Sequence, residues 1–148
     1  IDGTDQFAIR YLLNDLCRQK QKGYLFGAIQ EMQGLCALFQ PGGPCYRCLF
    51  PEEPPKEQFP LCSFGGVLGI LPGLIGMIQA TEAVRFFATQ KKSCHTTIHS
   101  VKVNPLYFHQ FTLESDPECP VCNGQQAPSQ QPLSPKDEMS FQEVITLQ

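Results

Sequence analysis

Pro41-Gly42-Gly43-Pro44-Cys45-Tyr46-Arg47-Cys48 is the stretch on which the fold turns, because its cysteine couple has a counterpart far downstream in Cys119-Pro120-Val121-Cys122. Each Cys-x-x-Cys couple brings two sulfurs to one metal apex with little backbone strain, and two couples complete a tetrahedral zinc tetrathiolate. A compact zinc ribbon separates its halves by about 15–20 residues. This pair is much wider, so the metal would close a large loop and clip distant segments together. Four protein sulfurs leave no position for a catalytic water, which makes the expected zinc structural and its binding free energy part of folding. A redox dithiol or a disulfide pairing is the rival reading of the same spacing.

Upstream of the couple, residues 24–29 and 34–39 are β-leaning runs around polar Gln30-Glu31, and the Pro41–Pro44 turn leads from them into Cys45. Residues 7–20 carry Phe7, Ile9, Leu12, Leu13, Leu16 and Cys17 near a helical period, with Thr4 or Asp5 placed to cap the helix. Downstream, the proline-rich residues 51–57 predict a mobile crossing loop that ends near Cys62. Residues 65–87 predict a long buried helix, interrupted near Pro72. Its Gly65, Gly69, Gly73 and Gly76 offer a smooth face for close packing, and the Gly-x-Gly-x-x-Gly order of a phosphate loop is absent. Residues 97–103 and 107–113 predict a closing hairpin around Asn104-Pro105 that delivers the second couple. Beyond Cys122 the polar, proline-bearing residues 125–132 read as a linker.

A length of 148 residues with 42% apolar side chains suits one domain with a real core. The net charge of −3 makes no broad basic patch, which argues against a nucleic-acid partner. Four of the eight cysteines belong to the couples and Cys17, Cys36, Cys62 and Cys94 are scattered, a usage that fits a reducing cytoplasm better than a secreted framework. The most apolar run, residues 67–80, is too short and glycine-rich to span a bilayer, so no membrane is expected. The opening Ile1-Asp2-Gly3-Thr4-Asp5 reads as a strand end running into a loop, and the chain as a piece of a longer protein.

That opening is also where chemistry is expected. In an open α/β sheet, nucleotides bind in the crevice beyond the carboxyl ends of strands. A carboxylate there can hold Mg²⁺ on a triphosphate, and Asp5 is the better ligand, with Asp2 or Thr4 shaping the turn; plain helix capping is the simpler role. Cys62 stands just before the glycine-bearing helix, whose dipole favours a thiolate suited to a thioester or disulfide with an activated partner. A small buried hydrophobe is the alternative for Cys62. Cys17 and Cys36 fall in apolar patterns and are expected in the core, and Cys94, beside Lys91, Lys92 and His95, on an exposed loop. His95, His99 and His109 have no metal spacing, and Glu52, Glu53 and Glu57 belong to a solvated loop.

Taken together, residues 1–15, 41–51, Gly66-Val67-Leu68-Gly69 and Asp116-Pro117-Glu118-Cys119-Pro120-Val121-Cys122 resemble the ThiF/MoeB/HesA adenylyltransferases, relatives of ubiquitin-activating enzymes. The resemblance covers residues 1–124. It implies the α/β class, specifically the carboxyl-terminal half of a Rossmann-like activating domain with a four-cysteine zinc site, followed by a flexible linker at 125–138. The implied activity is Mg-ATP-dependent adenylation of the C-terminal glycine of a ubiquitin-like sulfur carrier, in molybdopterin, thiamine or tRNA thiolation pathways. Cys45, Cys48, Cys119 and Cys122 match the zinc ligands, Asp5 the aspartate at the Mg-ATP site, and Cys62 the cysteine that some members use for a covalent intermediate. Gln6 stands where the family usually has Asn, at the nucleotide contact. In the family the glycine-rich loop and the cations that grip the phosphates precede the point where this chain starts, so the chain alone, with carboxylates and no cations at its turn, is expected to be inactive. Homodimerisation is implied likewise. Residues 137–144 look like the start of a rhodanese-like domain, placed at 139–148. The alternative function is a non-catalytic, zinc-stabilised interaction module of the same family.

Overall fold

The computed structural model describes residues 1–53, 66–89 and 93–122. Cys62, the linker at 125–138 and the rhodanese-like start at 139–148 lie outside the described residues.

The two unbroken apolar runs pair with each other. β1 (Tyr24–Gln30) and β2 (Gln33–Phe39) form a hairpin in which Tyr24 faces Phe39 and Gln30 faces Gln33. β3 (Thr96–Lys102) pairs with β2, and β4 (Tyr107–Leu113) with β3, giving the order β1-β2-β3-β4 with every pair antiparallel. The expected hairpin at the second couple is present. The parallel, doubly wound sheet of a Rossmann-like domain is not found among the described residues: two residues join β1 to β2 and four join β3 to β4, far short of the dozen or more a parallel crossover needs.

Helices cover both faces, which is why β1 and β2 are apolar throughout rather than alternating. On one face lie α1 (Phe7–Gln19) and the single-turn α2 (Tyr46–Leu49). Their core is aromatic: Tyr46 is 0% exposed, with its ring centroid 5.0 Å from those of Tyr11 and Phe26 and 5.1 Å from that of Phe50. On the other face α3 (Ile70–Thr89) lays Leu71 and Ile75 against Leu25, Cys36, Leu38 and Val101.

Three local expectations change. α1 begins at Phe7 with Gln6 as its N-cap and no side-chain cap bond; Asp2 instead turns the chain by accepting the Thr4 N–H at 2.8 Å. Residues 1–6 form no regular strand, although the Asp2 N–H donates to the Leu25 carbonyl at 2.9 Å. α3 runs through Pro72 without a break, because Pro72 sits in its first turn, where an N–H has no helical partner to lose.

α3 is also buried along only one stripe, Leu71, Ile75, Gln79 and Glu82, while Met77 and Phe87 are 71% and 73% exposed. With 20 residues and a mean hydropathy of 1.2 it is long and apolar enough to cross a membrane by length and composition alone, which residues 67–80 did not suggest; here its stripe covers the sheet. The expected smooth glycine face is open, since a Cβ at Gly69, Gly73 or Gly76 would meet nothing within 4 Å. The close approach comes from the strands: a Cβ at Gly34 would lie 2.6 Å from Ile75, and one at Gly27 would lie against the Gln79 amide.

Candidate metal centre and the Asp2–Gln6 turn

The first cysteine couple is shaped by its own backbone. Gly42 adopts φ 89°, and Gly43 passes so close to the Ser93 carbonyl that a Cβ would sit 2.9 Å from it. Arg18 of α1 holds this approach by donating to the carbonyls of Gln40 (3.2 Å) and Gly43 (3.0 Å). Cys45 then starts α2: its sulfur accepts the Cys48 N–H, and the Cys48 sulfur accepts the Cys45 N–H at 3.4 Å. At the second couple, Asp116 accepts the Cys119 N–H on its carbonyl (3.1 Å) and the Glu118 N–H on its carboxylate (2.8 Å).

The four sulfurs converge within 4.8 Å of one another. Cys45 and Cys119 are 3.7 Å apart, Cys48 and Cys122 3.5 Å, and Cys45 and Cys48 4.0 Å. A disulfide requires about 2.05 Å. A tetrahedron with Zn–S bonds of about 2.3 Å has edges near ~3.8 Å, and the observed spacings match it. The donor set therefore fits a metal ion and does not fit disulfides within or between the couples. Hydrogen bonds with Cys122 and Cys45 pull the Cys48 thiol down to about 2, while Cys122 is pushed up by its hydrogen bonds with Cys45 and Cys48 and by burial. Sulfurs this close resist sharing several negative charges, and a bound dication would let all four be thiolates.

Behind the first couple stands α1. Asn14, 1% exposed, accepts the Tyr46 N–H on Oδ1 at 2.9 Å and donates to Asp15 at 3.0 Å. Asp15 takes both arms of Arg47, at 2.8 and 3.0 Å, and the guanidinium lies 4.7 Å from the centroid of the Tyr11 ring. Tyr11 donates its hydroxyl to the carbonyls of Phe50 and Glu52. Sequence reading did not single out these residues. Their signal was the run of polar side chains on the otherwise apolar inner side of a helix.

At the other end of α1 the two opening aspartates divide the work. Asp2 is 2% exposed and consumed by structure: Tyr24 donates to its carboxylate at 2.6 Å and the Gln79 amide to its carbonyl at 2.7 Å. Burial, then the bond to Asp2, pushes the Tyr24 phenol upward, so it stays a donor. Asp5 and Gln6 are exposed at the start of α1, and their side chains have no partner among the described residues. The turn is not without a cation, as had been expected, because Arg10 is buried beneath it and donates to the Thr4 carbonyl at 2.8 Å. Asp5 is not part of the four-cysteine cluster: the first couple leans on Asn14 and Asp15, roughly 10 Å further along the helix axis than Phe7.

Of the remaining cysteines, Cys36 is fully buried with its thiol pushed up to about 12 by burial, Cys17 packs against the core, and Cys94 is exposed beside His95.

The family model matching this chain is that of the ThiF family, over residues 1–121. The chain belongs to the ThiF family. It is 40% identical over 122 residues to the SAMP-activating enzyme E1 of Haloferax volcanii, covering 82% of this chain and 45% of that protein. It is 35% identical over 139 residues to the sulfur carrier protein adenylyltransferase of Thermus thermophilus, covering 90% of this chain and 51% of the relative. To the adenylyltransferase and sulfurtransferase MOCS3 of Danio rerio it is 36% identical, over 82% of this chain and 27% of that protein. The chain thus spans about half, or less, of the length of these relatives. Its fold is similar to that of E. coli MccB solved with ATP, with a TM-score of 0.65 at 14% identity, over 84% of this chain and 39% of MccB.

Proposed function

We propose that this chain is the zinc-bearing part of an enzyme that adenylates the C-terminal glycine of a ubiquitin-like sulfur carrier. Membership of the ThiF family over residues 1–121, among relatives named adenylyltransferases, is the observation that carries the reading. In that reaction a carrier carboxylate oxygen attacks the α-phosphorus of ATP, the bond to the pyrophosphate oxygen breaks, and acyl-adenylate and pyrophosphate result. Mg²⁺ on the triphosphate offsets its charge. Asp5 is the carboxylate available to hold that ion, because it is exposed, without a side-chain partner among the described residues and at the start of α1, whereas Asp2 is engaged by Thr4, Tyr24 and Gln79. Gln6 is the neighbouring amide for the nucleotide.

Cys45, Cys48, Cys119 and Cys122 hold a structural zinc in this reading, which is supported by the tetrahedral spacing of their sulfurs. Cys62 is the proposed site of covalent carrier chemistry. The enzyme works as a homodimer in the cytoplasm, in molybdopterin, thiamine or tRNA thiolation metabolism. ATP–pyrophosphate exchange by the parent protein with a sulfur carrier ending in glycine tests the proposal. Carrier-dependent exchange that falls at least about a hundredfold in Asp5→Ala is expected. Carrier binding without any exchange would instead favour an interaction module.

A further inference from the structure

We propose that Arg10 is the positioning residue of the Asp5 turn: it holds the Thr4 carbonyl and so sets the direction in which the Asp5 carboxylate meets a magnesium–nucleoside triphosphate. The inference rests on the adenylation reading above. Arg10 is 6% exposed, and its guanidinium carbon lies 5.2 Å from the centroid of the Phe7 ring and 5.5 Å from that of Phe26. Among the described residues no carboxylate pairs with it, and its Nε has no acceptor. The guanidinium's other neighbours are the Phe7 and Phe26 rings and the Tyr46 side chain, none of them a carboxylate. Its one hydrogen bond to the backbone is the 2.8 Å bond from Nη2 to the Thr4 oxygen.

That bond matters because of which peptide it holds. The Thr4 carbonyl belongs to the rigid planar unit that also contains the nitrogen and Cα of Asp5. Fixing its oxygen fixes the plane from which the Asp5 side chain departs. On the upstream side Asp2 is anchored to β1 and α3, through Leu25, Tyr24 and Gln79. Between Asp2 and the first residue of α1, the Arg10 bond is the sole side-chain tie from outside the turn among the described residues. Without it the Thr4–Asp5 peptide can rotate, and among the described residues no side chain aims the exposed Asp5 carboxylate in its place.

The test uses the parent protein, its carrier and saturating ATP, and reads the Mg²⁺ concentration for half-maximal pyrophosphate exchange, with carrier KM and zinc content measured alongside. Arg10→Gln should raise the Mg²⁺ requirement about tenfold, leaving carrier KM and zinc near wild type. Arg10→Lys keeps the charge and one donor, and should raise it only about threefold. A wild-type Mg²⁺ dependence in Arg10→Lys, or a rise in carrier KM as large as the Mg²⁺ shift, overturns the assignment whether or not Arg10→Gln folds. A wild-type parent with no exchange at all overturns the adenylation reading, and Arg10's role with it.

Discussion

Tyr24 and Asp2 show how much a single polar contact can decide in a covered sheet. The phenol donates to a carboxylate oxygen that water does not reach, at 2.6 Å. Tyr24→Phe leaves the ring packing in place and strands that oxygen, so unfolding free energy should fall by about 1–3 kcal/mol in denaturant titration. An unchanged midpoint would show that water replaces the hydroxyl. At the four-cysteine cluster, Cys48→Ser should abolish zinc binding and destabilise the fold, whereas Cys94→Ser, an exposed thiol outside the four clustered sulfurs, should keep one zinc per chain by metal analysis. Full zinc occupancy in Cys48→Ser would reject the tetrathiolate.

At the scale of elements, the contact between α3 and the hairpin is set by absent side chains on the strands. Gly34→Ala would place a methyl 2.6 Å from Ile75 Cγ1, and the helix must shift to accept it. The expected loss is about 1–3 kcal/mol. Combining it with Ile75→Ala should recover part of that loss, a coupling that a double-mutant cycle measures directly. Additive losses would mean that the strand rather than the helix gives way. α1 is the second organising element, because it carries the Asp5 turn at one end and braces the first cysteine couple through Asn14 and Asp15 further along.

The whole molecule leaves one surface of α3 apolar and open, with Ile70, Met77, Val84 and Phe87 all more than half exposed. Contiguous apolar patches of this kind drive association. Residues 1–148 on their own should self-associate on size exclusion, and Met77→Lys with Phe87→Lys should shift the chain towards monomer; a monodisperse monomer before substitution would contradict this. The same piece should show no carrier-dependent pyrophosphate exchange alone, since Arg10 is committed to the turn and the described residues offer no glycine-rich phosphate cradle. Micromolar Mg-ATP affinity in calorimetry would show that nothing more is needed.

Which parts of this protein its sequence determined follows from the range of the forces involved. The four-cysteine cluster was legible because residue type and a two-residue spacing are properties of a few adjacent residues. β1 and β2 were legible as short apolar runs bounded by turn residues, β3 and β4 as β-leaning runs around Asn104-Pro105, and α1 from its helical period, because each of these signals lies within one element. Tertiary structure alone decided the antiparallel order of the strands, which sides of α3 are covered, and that Gly27 and Gly34, not the glycines of α3, admit the helix. It also separated Asp2 from Asp5 and buried Arg10 beneath the turn. Burial and pairing are made by residues far apart in the chain, as when Gln79 reaches the Asp2 carbonyl across 77 positions. No local pattern encodes which of two neighbouring carboxylates such a contact will consume.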